Sequence, residues 1–155
     1  MAPSLPPAHD EEERLACPSA PAQDGSALLA ILGADGRLAH VSPPIPVDEA
    51  FVARASRRGA PEARMRFTAP CLREGCEQWT GSSCGVIERV LATGAHEPQP
   101  ARLPRCAIRS GCRWYRQEGG AACRACPLVL TDGSGVPAPP RLSPSLSASA
   151  ELRAR

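Results

Sequence analysis

The first clear pattern of apolar and polar positions lies in residues 27–41. Residues 27–32 read ALLAIL and residues 37–41 read RLAHV, and the tetrapeptide GADG lies between them. Short apolar runs on either side of a glycine-containing turn are typical of paired β-strands. This segment is therefore predicted to form a β-hairpin.

A helix is predicted after the hairpin and the proline-rich segment 43–46. Asp48 belongs to the residue types that cap helix N-termini, and Gly59 provides a stop signal beyond residues 49–55. The pattern indicates one short helix over residues 49–55.

Two more helices are predicted in the C-terminal half of the chain. The apolar residues within 86–91 fall at intervals of one, three and four, which places them on one helix face, and Ser82 or Ser83 is suited to cap that helix. Residues 113–118 form a second helical stretch between glycines. Together with the hairpin, these elements indicate an α+β fold.

The two ends of the chain differ from its middle. Residues 1–26 are rich in proline, alanine and acidic side chains and lack apolar periodicity, and residues 132–155 are similarly biased, so we expect disordered tails. A chain of 155 residues has room for one domain. We expect that domain at residues 27–131, with the hairpin and helix in 27–65 and a cysteine-rich part in 66–131.

The composition predicts a small hydrophobic core that needs additional stabilisation. Aromatic residues make up only 3% of the chain, whereas large rings usually dominate core burial. Eight cysteines are available instead. We therefore expect the cysteines to hold the domain together.

The N-terminus has neither the basic start nor the apolar region of a secretory signal, and no apolar run approaches the roughly 20 residues of a transmembrane helix. We accordingly expect a cytoplasmic protein without membrane contact. Disulfides are rare in reducing cytoplasm, where clustered thiols more often bind metal.

Charge gives a weaker indication of partners. All eighteen basic residues are arginine, which is typical of codon bias, and the formal net charge is only +2. Arginines in 100–126 could form a basic face that meets phosphates or an acidic redox partner, but a solvated face is the favoured interpretation and interleaved aromatics are lacking. We expect a protein partner such as a redox enzyme, and not nucleic acid.

The cysteines lie in two similar arms. Residues 71–76 read CLREGC and residues 106–112 read CAIRSGC. A tryptophan and then a third cysteine follow in each arm, namely Trp79 and Cys84 in one and Trp114 and Cys123 in the other. The matching order indicates an internal duplication. We expect the glycine before each second cysteine to take a positive φ and turn the backbone around a metal.

The second arm supplies a complete set of soft ligands. Its thiols are those of Cys106, Cys112, Cys123 and Cys126, with the last two in a C-x2-C pair followed by proline. Four thiolates brought together repel one another unless a cation neutralises them. We therefore predict a metal centre in this arm.

The first arm is one ligand short. It offers Cys71, Cys76 and Cys84, while Ile87 stands where the second arm has its fourth cysteine. The candidate fourth ligands are Cys17, His40 and His96.

The spacing favours an iron-sulfur cluster, of the [4Fe–4S] kind, over zinc. Structural zinc sites usually have two close ligand pairs, whereas this chain has one. A cluster is wider than one ion, and a cysteine followed by proline also ends a ferredoxin motif. One or two clusters are expected, with zinc as the first alternative and disulfides as the second.

No catalytic motif is recognisable, so enzyme activity is not predicted. One enzymatic possibility stays open, because a cluster with three thiolates would leave one iron accessible to substrate. The main hypothesis is an iron-sulfur protein that transfers electrons to, or assists, a partner enzyme. The alternatives are a zinc-stapled interaction module without redox chemistry and a thiol redox switch that uses Cys123 and Cys126.

Overall fold

The computed structural model describes residues 14–94, 102–131 and 137–138. The fold is α+β, with a four-stranded antiparallel sheet and short helices. The strands are β1 Ala16–Ala20, β2 Ala27–Leu32, β3 Leu38–Pro46, β4 Met65–Pro70, β5 Leu130–Thr131 and β6 Pro137–Ala138. The α-helices are α1 Glu49–Ser56, α2 Gly85–Ala92, α3 Arg113–Glu118 and α4 Gly120–Ala125. Single turns of 3₁₀-helix lie at Pro61–Ala63, Arg73–Gly75, Arg109–Gly111 and Cys126–Leu128.

The predicted hairpin is present as β2 and β3. The N–H of Gly33 donates to the carbonyl oxygen of Arg37 at 2.8 Å across the turn. β3 continues beyond residue 41 to Pro46. The strand order is β1-β4-β2-β3, so β4 and β2 form the middle of the sheet.

α1 begins after the predicted cap. A carboxylate oxygen of Asp48 accepts a hydrogen bond from the N–H of Phe51 at 2.7 Å. Phe51 in turn packs edge-on against Phe67 of β4, with ring centroids 6.3 Å apart. This contact fixes α1 on the sheet, because Phe67 is fully buried.

β1 corrects the prediction of a disordered tail over residues 1–26. Residues 16–20 pair with β4, and both Ala20 and the preceding Leu15 are buried. The segment reads ACPSA and contains none of the β-branched or aromatic residues that identify strands. Pairing with β4, not local propensity, therefore forms this strand; residues 1–13 lie outside the described part of the chain.

The C-terminal tail prediction falls mostly on residues that are not described. Within 132–155, the structure describes residues 137 and 138, which form β6. β6 pairs antiparallel with β5. Two residues counted with the tail are thus in a strand, and the remainder of the tail prediction lies outside the described residues.

The helices α2, α3 and α4 surround a second core that is separate from the sheet core. Ile87, Trp114 and Val129 are its largest fully buried side chains. Cys112 is one of the buried residues of this core, and Cys84 and Cys126 pack against it.

The predicted cap of α2 is wrong by one or two residues. Cys84 occupies the N-cap position, and neither Ser82 nor Ser83 does. The hydroxyl of Ser83 instead forms hydrogen bonds with the side chains of Thr80 and Glu88. No side chain caps the N–H groups at the start of α2.

α1 and α2 have eight residues each, and α3 and α4 have six. None of the described helices is long and apolar enough to traverse a lipid bilayer.

Candidate metal centres

All eight cysteines lie in the described part of the chain as free thiols, and they form two groups of four. The first thiol group lines a cavity of about 400 Å³ and consists of Cys17, Cys71, Cys76 and Cys84. The second thiol group lines a cavity of about 30 Å³ and consists of Cys106, Cys112, Cys123 and Cys126. No cysteine is shared between the two cavities.

The sheet and the first arm together build the first thiol group. Cys17 lies in β1 opposite Ala69 of β4, and Cys71 follows directly after the end of β4. The N–H of Cys71 donates to the carbonyl oxygen of Leu15 at 2.8 Å, which fixes the start of the arm next to β1. Cys76 follows directly after the 3₁₀ turn Arg73–Gly75. Cys84 lies directly before α2.

The second thiol group is built from short helices. Cys112 follows the 3₁₀ turn Arg109–Gly111 and is the N-cap residue of α3. Cys123 lies within α4, and Cys126 begins the next 3₁₀ turn. An isolated β-bridge pairs Cys112 with Ala16 of β1. β1 therefore contacts both groups, because the residue after Ala16 is Cys17.

The two arms share their local backbone geometry at the start. Cys76 and Cys112 each donate their N–H to an arginine carbonyl oxygen, at 2.8 Å to Arg73 and 3.2 Å to Arg109. Both residues then have extended φ and ψ. The arms differ afterwards, since Cys84 precedes a helix and Cys123 lies inside one.

The glycines of the arms do not behave as predicted. Neither Gly75 nor Gly111 has a positive φ. In the first arm Arg73 has the positive φ instead, at 50°. Each bend is made by a 3₁₀ turn, which needs no left-handed residue at the glycine position.

Burial and neighbouring thiols raise the pKa of several cysteines. The pKa of Cys17 rises to about 12 through burial and the nearby Cys84, Cys71 and Cys76, against a lowering by the backbone N–H of Ser19. The pKa of Cys112 also rises to about 12, through burial and then through Cys126 and Cys106. Each group thus brings thiols close enough to disfavour one another's ionisation.

Arg66 places a positive charge beside the second thiol group. The side chain is 4% exposed, and its guanidinium donates to the Sγ of Cys126 at 3.8 Å and to the carbonyl oxygen of Cys126 at 2.9 Å. It also donates to the carbonyl oxygen of Val129. No carboxylate in the described segments pairs with Arg66. Burial raises the pKa of Cys126, and Arg66 acts against that rise.

Two residues of α3 hold Cys84. The indole N–H of Trp114 donates to its Sγ at 3.3 Å. The side-chain amide of Gln117 accepts from the N–H of Cys84 at 2.8 Å and donates to its carbonyl oxygen at 3.2 Å. A residue of the first thiol group is therefore positioned by a helix of the second arm.

Of the three candidate fourth ligands of the first arm, one lies beside the other thiols of that arm. Cys17 lines the cavity of the first thiol group, whereas His40 lines that of the second. His96 lies outside the described residues. Burial, followed by the charges of Arg109 and Arg66, lowers the pKa of His40, and its Nδ1 has no partner among the described atoms.

Sequence reasoning missed the roles of Arg66, Trp114 and Gln117. The sequence places Trp114 in the second arm without indicating a sulfur atom as its partner, and Gln117 carries no motif. For Arg66 the available signal is a charged residue within a strand whose next two residues are apolar or β-branched. That signal marks an unusual position, but it does not identify a thiol as the partner.

Within 14–94 and 102–131, no three histidine, cysteine, aspartate or glutamate side chains are close enough together to hold one metal ion. Comparisons with protein-family models, with curated proteins and with solved structures find no match to this chain.

Proposed function

We propose that this chain is an electron-transfer protein with two iron-sulfur clusters, one in each thiol group, that serves a partner enzyme. The observation that carries the proposal is the division of all eight cysteines into two groups of four, each around its own cavity. Four cysteine thiolates are the usual ligand set of a [4Fe–4S] cluster.

The surroundings of the thiols support a bound cationic centre. Burial and mutual repulsion raise the pKa values of Cys17, Cys112 and Cys126, and a metal compensates both effects by neutralising the thiolates. Arg66 adds to this argument. A buried guanidinium without a carboxylate needs anionic partners, and thiolates around a cluster supply them.

The cysteine spacing favours a cluster over zinc. Structural zinc sites usually have two close ligand pairs, whereas Cys123 and Cys126 form the one C-x2-C pair of this chain. A cluster is wider than one ion and accepts irregular spacings.

The presence of Cys17 in the first thiol group favours electron transfer over catalysis at iron. With three thiolates, one iron would be open to substrate. Cys17 completes a set of four, so each iron of a four-iron cluster has a protein ligand.

The test is metal analysis and an absorption spectrum of protein purified without oxygen. We expect a brown protein with about eight irons and about eight sulfides per chain, which is two four-iron clusters, and bleaching of the colour by dithionite. A colourless protein with one or two zinc ions would overturn the proposal in favour of a structural module. A protein without metal, whose thiols oxidise in pairs, would leave the thiol switch.

A further inference from the structure

The cavity of the first thiol group is large enough to hold a small organic molecule. Its volume is about 400 Å³, and ligand pockets commonly measure about 300 to 1,000 Å³. Leu72 and Asp24 line this cavity and are themselves exposed, so the cavity opens to solvent on their side. A molecule can therefore enter it from the surface.

Much of the cavity wall is apolar. Ala20, Val86 and Trp114 line it and are buried. The indole N–H of Trp114 already donates to the Sγ of Cys84, so this residue contributes apolar surface and no further donor. A wall of this kind favours the apolar body of an organic ligand over a hydrated inorganic ion.

Arg113 adds a buried positive charge to the wall. It begins α3, is 6% exposed and lines the cavity. Its guanidinium carbon lies 5.2 Å from the centre of the Trp79 ring, which holds the group in place. A guanidinium has five N–H donors, so it can bind a carboxylate in addition to its other contacts. The other formally charged residue of the wall is Asp24, whose exposed carboxylate is screened by solvent.

Trp79 provides a second donor next to this charge. It lines the cavity, and its Nε1 is buried without a hydrogen-bond partner in the described part of the structure. A buried N–H without an acceptor is costly, and an oxygen atom of a ligand would remove that cost. The backbone N–H of Trp79 donates to the carbonyl oxygen of Cys76 at 3.0 Å, which fixes the residue beside the cavity.

We propose that this cavity binds a small carboxylic acid with an apolar body, whose carboxylate accepts hydrogen bonds from the guanidinium of Arg113 and the indole N–H of Trp79. The apolar body packs against Val86 and Trp114. The inference goes beyond the proposed function and does not require a cluster, because neither Arg113 nor Trp79 is a proposed metal ligand. The acid is bound and released unchanged, without a covalent step.

The test is isothermal titration calorimetry of the full-length protein, purified without oxygen, with 3-phenylpropionate. This probe has one carboxylate and one apolar ring, and its uncharged amide, 3-phenylpropionamide, is the control for charge. We expect the acid to bind at least about tenfold more tightly than the amide, because hydrogen bonds to a charged group are the stronger ones. Absence of binding by the acid, or equal affinity for the acid and the amide, would overturn the inference.

Arg113→Gln and Arg73→Gln form a matched pair of variants. Both guanidinium groups lie over the Trp79 ring, at 5.2 Å and 5.8 Å from its centre, and of the two it is Arg113 that lines the cavity. We expect Arg113→Gln to bind 3-phenylpropionate at least about tenfold more weakly than the wild type, and Arg73→Gln to bind it within about twofold of the wild type. Equal affinities of the two variants would contradict the site.

Trp79→Phe keeps the proposal testable if Arg113→Gln does not fold. This variant retains an aromatic ring and removes the indole N–H, so we expect the affinity for 3-phenylpropionate to fall by about threefold or more. A folded Trp79→Phe variant with wild-type affinity would refute the assigned site. Iron analysis of the same samples reports on the proposed function separately, so either idea can fail alone.

Discussion

Trp114 and Cys84 are 30 positions apart in the chain, and the indole N–H of one donates to the sulfur of the other at 3.3 Å. One turn further along the same helix, Gln117 binds both backbone groups of Cys84. The two arms therefore interlock. A similar order of cysteines could instead have produced two independent modules joined end to end.

The first prediction concerns Gln117. In Gln117→Leu the N–H of Cys84 loses its acceptor and the carbonyl oxygen of Cys84 loses one of its donors, so we expect the free energy of unfolding to fall by about 1 to 3 kcal/mol. Urea unfolding measures it. Arg116→Leu is the control, because Arg116 is exposed on the same helix and should change stability by less than about 0.5 kcal/mol. Equal effects of the two substitutions would show that the contact with Cys84 contributes nothing.

The second prediction concerns Cys17 as a ligand. On the proposed function, Cys17→Ser removes the first of the two proposed clusters and leaves the second, so we expect iron to fall by about half. Cys106→Ser should remove the other half, and the double variant should retain almost no iron. Iron and sulfide analysis of the anaerobically purified variants tests this. Full iron content in Cys17→Ser would mean that Cys17 is not a ligand.

The contrast between Cys17 and the other cysteines shows what sequence reasoning can reach. The arms were recognisable because their cysteines recur in the same order over short distances. Cys17 belongs to the first thiol group only because β1 pairs with β4, which ends next to Cys71. Long-range pairing of a strand made of small residues leaves no periodic signal in the sequence.

The difference between local and long-range contacts also explains which other elements and residues were predictable. The hairpin and the Asp48 cap were predictable because local turn and capping chemistry determines them. Arg66 and Trp114 act through contacts 60 and 30 positions away. Trp114 meets its partner where α3 packs beside the start of α2, and Arg66 meets its partner where the segment after α4 packs on the sheet. No local pattern encodes that packing.

The third prediction concerns Arg66. Arg66→Met removes the positive charge at Cys126 and the guanidinium hydrogen bonds to the carbonyl oxygens of Cys126 and Val129, although the N–H of Val129 still donates to the carbonyl oxygen of Cys126. We expect the second cluster to be lost preferentially, so iron should fall by about half after dialysis against a chelator. We also expect the reduction potential of any remaining second cluster to be lower, because the charge that stabilises the added electron is gone.

Arg64→Met is the control for Arg66→Met. Arg64 also donates to two backbone carbonyl oxygens, those of Ala55 and Arg58, but it contacts no thiol. We expect this variant to lose some stability and to retain its iron. If both variants lose iron equally, the effect of Arg66 comes from general destabilisation and not from its charge beside sulfur.

The fourth prediction concerns pH and His40. Burial, then Arg109 and Arg66, lowers the pKa of His40 in the folded protein below its ordinary value of 6.5. Below about pH 6.5 the unfolded chain therefore binds a proton that the folded chain does not, and stability falls as the pH decreases. Above that pH the imidazole is neutral in both states and contributes no pH dependence.

His40→Gln should reduce this acid sensitivity. We expect the wild type to lose more free energy of unfolding than the variant between about pH 7.5 and about pH 5.5, as measured by urea unfolding of metal-free protein. The carboxylates, His9 and His96 are present in both proteins, so their contributions cancel in the comparison. An identical loss in the two proteins would mean that His40 takes up its proton in the folded state as readily as in the unfolded chain. In that case burial and the neighbouring Arg109 and Arg66 would together exert no net effect on its pKa.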